Sequence, residues 1–569
     1  MEILDNGIAL ADPWPPRAVA YSAAPAVPPY LRTPPAVIPI DVGRQLFVDD
    51  FLVAQSTLRR TWHRPEPFAG NPVLRPDQPW ELMSFSRGVS TPHAMPFSDG
   101  VWFDPEDRLY KMWYYGGMGP SPSGAYGVTA YAVSADGLAW EKPKLTAVPW
   151  LDQAETNIVH LGRRDSSTVW LDQTATRPGE RFKMSLYVGG RTRLYRSADG
   201  IRWQEAGAGA RTGDRTTFFY NPFRRKWVFS IRGPGALAGD MGRVRSYWEA
   251  DDFFAFGDRI YGLQAPAELG GAEFFALLRA EVKRLGAWPD ATEVVLWTGA
   301  DVADPRWPEF AHVAPQLYNL DAVAYESLLV GLFSVWRGDY RADARTAAAQ
   351  QLRAAGRPKS NEVFVGFSRD GFHWDRPDRH PFIPVAGFRG AWNWGNVQSA
   401  GGGFLVVEDR LFFYHSGRGG KGFPGCASHD GGGATGVSFL RRDGFASMEA
   451  PPAGGQLTTR LVRFGGSRLF VNLEAPAGEL RAEVLDEHGQ PLAPYTAAAC
   501  RPASGDSTRL AIGWQATDDL APLAGRPVRF RFHLRGGRLY AFWVSADASG
   551  RSRGFVAGGG PEFAGAQDC

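Results

Sequence analysis

One heptad, S-x-D-G-x-x-W, occurs three times in this chain, at Ser134 to Trp140, Ser197 to Trp203 and Ser368 to Trp374. Each copy follows a strand-like run and predicts a hairpin. The Asp accepts hydrogen bonds from the turn, the Gly takes a positive φ, and the Trp covers a sheet edge. A degenerate copy lies at Arg442, Asp443, Gly444 and Phe445, and a weaker one spans Ser246 to Asp252. Repetition of one turn at this scale points to a repeat architecture of β-sheet units. The aspartates Asp136, Asp199 and Asp370 are therefore read as structural.

Upstream of these turns a second pattern recurs: an apolar strand, a polar turn, then an aromatic-rich strand. It begins at Val101, Thr168, Thr216, Ser327 and Gly401. Five such pairs, most followed by a further strand and an aspartate turn, predict five four-stranded blades around a channel over residues 40–450. Closing the ring removes long exposed edges. Residues 266–286 and 340–356 have helical character and are read as insertions between blades, of the kind that form lids, interfaces or pocket walls. After Ala450 the repeats stop. Strands alternating apolar and polar residues then predict a β-sandwich over 451–549. The Gly-rich tail 550–569 is expected to be loose, and residues 1–39 form an Ala/Pro-rich extension.

The fold class is thus all-β: a five-bladed β-propeller followed by a C-terminal β-sandwich. Composition agrees. The 20 Trp, 36 Phe, 18 Tyr and 67 Gly favour short strands, tight turns and aromatic pockets over long helices, a bias shared with carbohydrate binders. Lys and Arg number 62 against 60 Asp and Glu, leaving a formal charge of +2. This gives no electrostatic case for nucleic acid or an anionic membrane, and a small neutral substrate fits better. Cys426, Cys500 and Cys569 lack any C-x-x-C spacing, so neither a zinc site nor a disulfide framework is indicated. No apolar run reaches signal-peptide or membrane-span length near the N-terminus. The chain is expected to be soluble, either cytoplasmic or secreted with a signal already removed, since the Ala/Pro stretch at 12–39 is of the kind that follows one.

Read together with the opening segment LFVDDFLV and the run HRPEPFAGNPVLRPDQPWE, the D-G-x-x-W turns and the polar residues of the inner strands resemble the furanosidase-type propellers, glycoside hydrolase families 32, 43, 62 and 68. The resemblance covers roughly residues 40 to 450, at the several-residue precision of pattern reading, and is that of a divergent relative, because the W-M-N-D-P-N-G opening and the R-D-P and E-C motifs are absent. It implies a hydrolase acting on a terminal sugar, a furanoside among the candidates, with a carbohydrate as partner and no organic cofactor or catalytic metal. It leaves room for a structural calcium on the axis and for a homo-oligomer.

In such propellers each inner strand presents polar residues to an axial pocket. The resemblance matches Asp99, Asp214 and Glu326, in that order, to a base or nucleophile, an orienting Asp and a general acid. Acetal hydrolysis needs a protonated carboxyl to neutralise the leaving oxygen and a carboxylate to activate water or trap the oxocarbenium-like carbon. Glu326 precedes the apolar run SLLVGLF, where an idle charge would be costly. Asp50, Asp165, Arg215, Tyr325, Trp394, Asn396 and Gln398 are the expected substrate contacts, and Asp49 is a rival base. His93, His415, Trp80 and Trp392 lie near the expected pocket without an assigned role. Two further readings stand beside this one. A sialidase-like hydrolase would use an arginine triad with Tyr325 and Glu326, and a non-catalytic propeller would only hold a glycan.

Overall fold

The computed structural model describes all residues except 1, 18–21, 83–84, 87–88, 118–126, 163, 233–242, 263–270, 286–291 and 341–342. It is an all-β protein, and its longest helix among the described residues is Gly271–Leu285. That helix and Ala347–Ala354, capped by the Thr346 hydroxyl on the Ala349 amide, lie in the two stretches read as helical insertions; residues 266–270, 286 and 341–342 of these stretches lie outside the described residues.

Three antiparallel four-stranded sheets follow one another along the chain. The first holds Met95–Asp104, Leu109–Tyr115, Val128–Ser134 and Ile158–Leu161. The second opens with Ser167–Leu171 and the third with Thr217–Asn221. A fourth, larger sheet runs from Gln316–Glu326 through Leu328–Gly338 and Ser360–Ser368. A single parallel pairing of Asn361 with Asn396 carries it on into Asn396–Ser399, Arg410–Arg418 and Gly433–Arg441. The strands Met95–Asp104, Ser167–Leu171, Thr217–Asn221, Gln316–Glu326 and Asn396–Ser399 pack side by side in a nearly closed ring, and the last lies back against the first. Burying large aromatic rings between sheets is the main source of cohesion. Trp102, Trp170 and Phe218, one from each of the first three sheets, stand in a row with centroids 4.6 and 6.3 Å apart.

The heptad turns are built alike. In each, the Asp carboxylate accepts two backbone amides, those of Leu138 and Ala139, of Ile201 and Arg202, and of Phe372 and His373. The Ser hydroxyl accepts the Gly amide, and Gly137, Gly200 and Gly371 take φ of 76°, 73° and 84°. Each turn follows the third strand of its unit and docks on a neighbouring unit. The Trp113 indole donates to Gly200 O at 2.7 Å, the Tyr414 hydroxyl to Gly137 O at 2.5 Å, and the Trp297 indole to Phe372 O at 2.7 Å.

The C-terminal strands form a nine-stranded sheet wrapped around its own core, which includes Leu457, Val471, Phe530, Phe532 and Trp514. Long-range pairing redraws the expected boundaries. Val53–Ser56 and Arg59–Trp62 belong to this sheet, Ile38 pairs with Val462, and Ala446–Ala450 joins it from the end of the ring segment. Partners separated by about 400 residues are invisible to a local repeat pattern. The expectation of a loose tail is also corrected. Phe555–Val556 pairs with Tyr325 and Glu326, Gly558 O accepts the Phe103 amide at 2.9 Å, and Gly559 O accepts the Val406 amide at 2.9 Å. The glycines let the tail's backbone approach the strand ends closely. A Cβ on Gly560 would lie 1.7 Å from Val406 O.

Candidate active site

Two irregularities in the ring aim polar groups at the axis. The register of Met95–Asp104 slips between Met95 and Gly100, with Ser98 at φ 65°, and Gln316–Glu326 slips between Leu317 and Asn319. Such bulges rotate side chains out of the strand's alternation and are frequent beside sites. Here they bring Ser98 and Asp99 of the first inner strand to Asn319 and Asp321 of the fourth. Ser98 Oγ donates to Asp321 Oδ2 at 3.0 Å, and accepts from Arg215 Nη2 at 2.8 Å and Asn319 Nδ2 at 2.9 Å. Asp321 Oδ2 also accepts from Asn319 Nδ2 at 2.9 Å and from Ser399 Oγ at 2.5 Å. Asp99 faces the Arg164 guanidinium through both oxygens at 2.9 Å, with both side chains fully buried.

Burial raises both carboxyl groups above the ordinary range. For Asp99 the neighbouring Arg164 opposes this, and for Asp321 chiefly Arg215 and the three donors do. Arg215 is itself wholly buried and pulled down by desolvation. Tyr318 moves the other way: burial raises it, but the charges of Lys359, Arg215 and Arg418 bring its hydroxyl below the usual tyrosine value. Lys359 Nζ donates to that hydroxyl at 3.1 Å. His93, stacked 5.4 Å from Tyr115, is held down to about 3 by burial and by Arg418.

Of the residues singled out in the sequence, Asp99 and Arg215 come together here, while Asn396 and Gln398 are buried on the strand whose next residue, Ser399, reaches Asp321. Gln398 Nε2 donates to Asn396 Oδ1 at 2.8 Å on the fifth inner strand. Asp165 is half-buried, and its charge acts on Tyr115, Arg215 and Tyr318. Asp214 sits in a half-exposed ion pair with Arg232. Trp394 is buried, 6.0 Å from the Arg357 guanidinium carbon, and offers no open ring face. Asp50 is largely exposed and paired with Arg60 at 2.6 Å, in the segment joined to the C-terminal sheet. Asp49 is locked by Arg369 through Nε at 2.7 Å and Nη2 at 2.9 Å. His415 is buried against Trp392 and lowered to about 4 by burial, and the Trp80 indole donates to Asn157 at 3.0 Å inside the first sheet.

Glu326 is the main correction. SLLVGLF is the second strand of its unit, not the innermost, and Glu326 occupies the turn at the far end of the inner strand with φ 51°. At 3.3 Å per residue it lies about 16 Å along the strand from Asp321. Its carboxylate accepts the Arg44 amide at 3.0 Å and the Ser552 hydroxyl at 2.7 Å, with Arg44 Nε at 3.5 Å and Arg442 Nη2 at 3.3 Å. Tyr325 goes with it, donating to Asp443 at 2.6 Å. Both belong to the buried ionic contact between ring, C-terminal sheet and tail, so neither the general-acid role nor the Tyr325/Glu326 nucleophile pair stands. Asp321 stands on the inner strand itself, one strand ahead of SLLVGLF. The run QLYNLDAVAYE carried the signal, two polar residues inside an otherwise apolar strand.

The axial residues do not fit a calcium ion, which takes six to eight oxygen ligands. Asp321 Oδ2 is surrounded by N–H and O–H donors and Asp99 by a guanidinium. No group of three or more His, Cys, Asp or Glu able to hold a metal occurs among the described residues. Nor, among them, is any helix long and apolar enough to cross a membrane.

The chain matches no protein-family model, and no curated protein matches it. Among solved structures it is similar to a glycosyl hydrolase from Bacteroides ovatus at 11% identity and TM-score 0.38, covering 70% of this chain and 97% of that one. It is also similar to a fructofuranosidase from Schwanniomyces occidentalis at 9% identity and TM-score 0.32, covering 81% of this chain and 96% of that one. An exo-beta-1,3-galactanase from Phanerochaete chrysosporium matches at 9% identity and TM-score 0.31, covering 82% and 99%.

Proposed function

We propose that the chain is a five-bladed β-propeller with a C-terminal β-sandwich, and that it hydrolyses the glycosidic bond of a terminal sugar at Asp99 and Asp321. The larger fourth sheet is read as two blades joined at Asn361 and Asn396. The observation that carries the mechanism is the bridge from Asp321 to Ser98, the residue next to Asp99, which gathers two buried carboxyl groups of raised pKa at the axis. Separation of roles by environment is how a pair of carboxyls performs acid and base work.

Asp321 Oδ2 is occupied by three donors, so a proton on this carboxyl belongs on Oδ1, from which it is handed to the leaving oxygen. Asp99, clamped by Arg164, is the carboxylate that activates water or traps the sugar carbon. Arg215 and Asn319 fix Ser98 and hence the distance between the two. The test is a panel of aryl glycosides, furanosides included, assayed with the wild type, Asp321→Asn and Asp99→Asn. Loss of a general acid spares substrates with good leaving groups, and loss of the nucleophile or base does not. Equal activity of all three proteins on a glycoside with a poor leaving group would overturn the assignment, and a panel that yields binding without turnover favours the glycan-binding reading.

A further inference from the structure

The formal charge of +2 hides a local imbalance. Around Tyr318 and Phe97, at the end of the ring where the inner strands begin, two cation–carboxylate pairs cancel: Arg164 with Asp99 and Arg232 with Asp214. Five cations remain, one of them the wholly buried Arg245, whose guanidinium is taken up by neutral oxygens of Ser230, Arg215 and Tyr318. Arg215 bonds only to neutral oxygens, of Phe97 and Ser98, and Arg243 to Gln316. Lys359 bonds to the Tyr318 hydroxyl. Arg418 has the fewest partners: the residue is only 7% exposed, yet it makes no ion pair among the described residues and its Nε finds no hydrogen-bond partner. Asp165 lies among these five charges, and Asp321 answers one only when it is ionised.

Burying a guanidinium without a counter-charge is costly unless its N–H groups find partners, and an anionic ligand would supply the partners that Arg418 lacks. Arg215 and Arg418 lie against the same ring, with guanidinium carbons 3.8 and 4.7 Å from the Phe97 centroid, so both are held by stacking with N–H groups left over. A planar fork of donors suits an oxyanion substituent. The lowered Tyr318 hydroxyl reports the same positive field. We infer that the sugar taken at this axis carries an anionic substituent, a carboxylate or a sulfate ester, held by Arg418 and Arg215 with Lys359 beside them. The inference rests on the hydrolase reading for the word substrate, but its test is one of binding.

Calorimetric titration of the full chain with D-glucuronate, galactose 6-sulfate, glucose and galactose is the direct experiment. Hydrogen bonds to charged groups are worth enough that the anionic sugars should bind at least about tenfold more tightly than their neutral parents at low salt. Glucuronate ahead of the sulfate assigns a carboxylate, and the reverse order assigns a sulfate ester. Arg418→Met should bring anionic and neutral sugars to within about twofold of each other, while Arg418→Lys keeps part of the preference. If Arg418→Met does not fold, Lys359→Met carries the same comparison. Equal affinity for anionic and neutral sugars in the wild type, no binding of either, or a preference untouched in a folded variant overturns the inference. Anionic selectivity without turnover of any glycoside sinks the hydrolase reading and leaves this one standing. Turnover of neutral glycosides without such selectivity does the opposite.

Discussion

Ser98 Oγ lies 3.0 Å from Asp321 Oδ2, and this one hydroxyl joins the first and fourth inner strands at the centre of the ring. It also receives the Arg215 guanidinium and the Asn319 amide, so three buried polar groups depend on it. Replacing Ser98 with Ala leaves those partners without their shared atom. An unsatisfied buried partner costs about 1–3 kcal/mol, so Ser98→Ala should lower the stability measured by urea unfolding by that amount. It should also reduce activity, because Asp321 loses one of the donors that fix its orientation. Unchanged unfolding and unchanged turnover would show that the bridge has no energetic role.

Glu326 and Asp321 should separate cleanly under substitution. Glu326 is buried among Arg44, Arg442 and Ser552, and removing one member of a buried ionic cluster costs about 3–5 kcal/mol. Glu326→Gln should therefore lose stability in chemical denaturation, while the folded fraction keeps its kcat. Asp321→Asn should keep most of its stability and lose about 10² to 10⁴ in kcat on substrates with poor leaving groups, the usual contribution of general acid catalysis. Kinetics on protein whose folded fraction is known from circular dichroism distinguishes the two.

Asp375 follows the heptad Trp374, and burial, with Asp49 next in effect, raises its carboxyl to about 6. In the unfolded chain the same group titrates near its ordinary value. Between the two values the folded state holds a proton that the unfolded state has released, so stability falls as pH rises through this window. Asp375→Asn cannot ionise and should lack that loss. Unfolding free energies measured from pH 4 to 8 should nearly coincide for the two proteins at pH 4, diverge in favour of Asp375→Asn as pH rises to about 6, and keep that difference above it. Parallel curves across the range would rule out Asp375 as the source.

Much of the ring was legible because its information is local. Three heptads and four of the five strand pairs each specify a turn and its flanking strands within some twenty residues, and those turns form as their residue types require, whereas the run from Ser327 is a single strand paired with the one before it. The site was only half legible. Arg215 follows from its place before an inner strand and Asp99 from its place just ahead of VWFDP within one, but Asp321 needs the strand order, which hinges on whether QLYNLDAVAYE or SLLVGLF comes first on the axis. Both runs are apolar enough to be innermost. The tail and the segment 53–62 are illegible locally because their partners lie about 230 residues away, at Tyr325, and about 400 residues away, at Gly455–Thr459 and Ala446–Ala450. The cationic mouth was hidden because a net charge sums over the whole surface, whereas a field depends on which few side chains the fold gathers.

Gly200 tests whether the heptad glycines serve the turn alone or the packing between sheets as well. It stands at φ 73°, and a Cβ there would come within 2.5 Å of the Trp113 ring of the first sheet, whose indole already donates to Gly200 O. Gly189 is the control: its φ is 59°, yet a Cβ there meets nothing within 4 Å. Both Gly→Ala changes carry the strain of a left-handed backbone, about 1–2 kcal/mol. Only Gly200→Ala must also displace a wholly buried indole, and overpacking of this kind adds about 1–3 kcal/mol. Gly200→Ala should therefore be the more destabilising by that second amount in urea unfolding, with a change in tryptophan fluorescence of the native state as Trp113 moves. Equal losses for the two variants would mean that the glycine serves only its own turn, and the contact between the first two sheets would need another source.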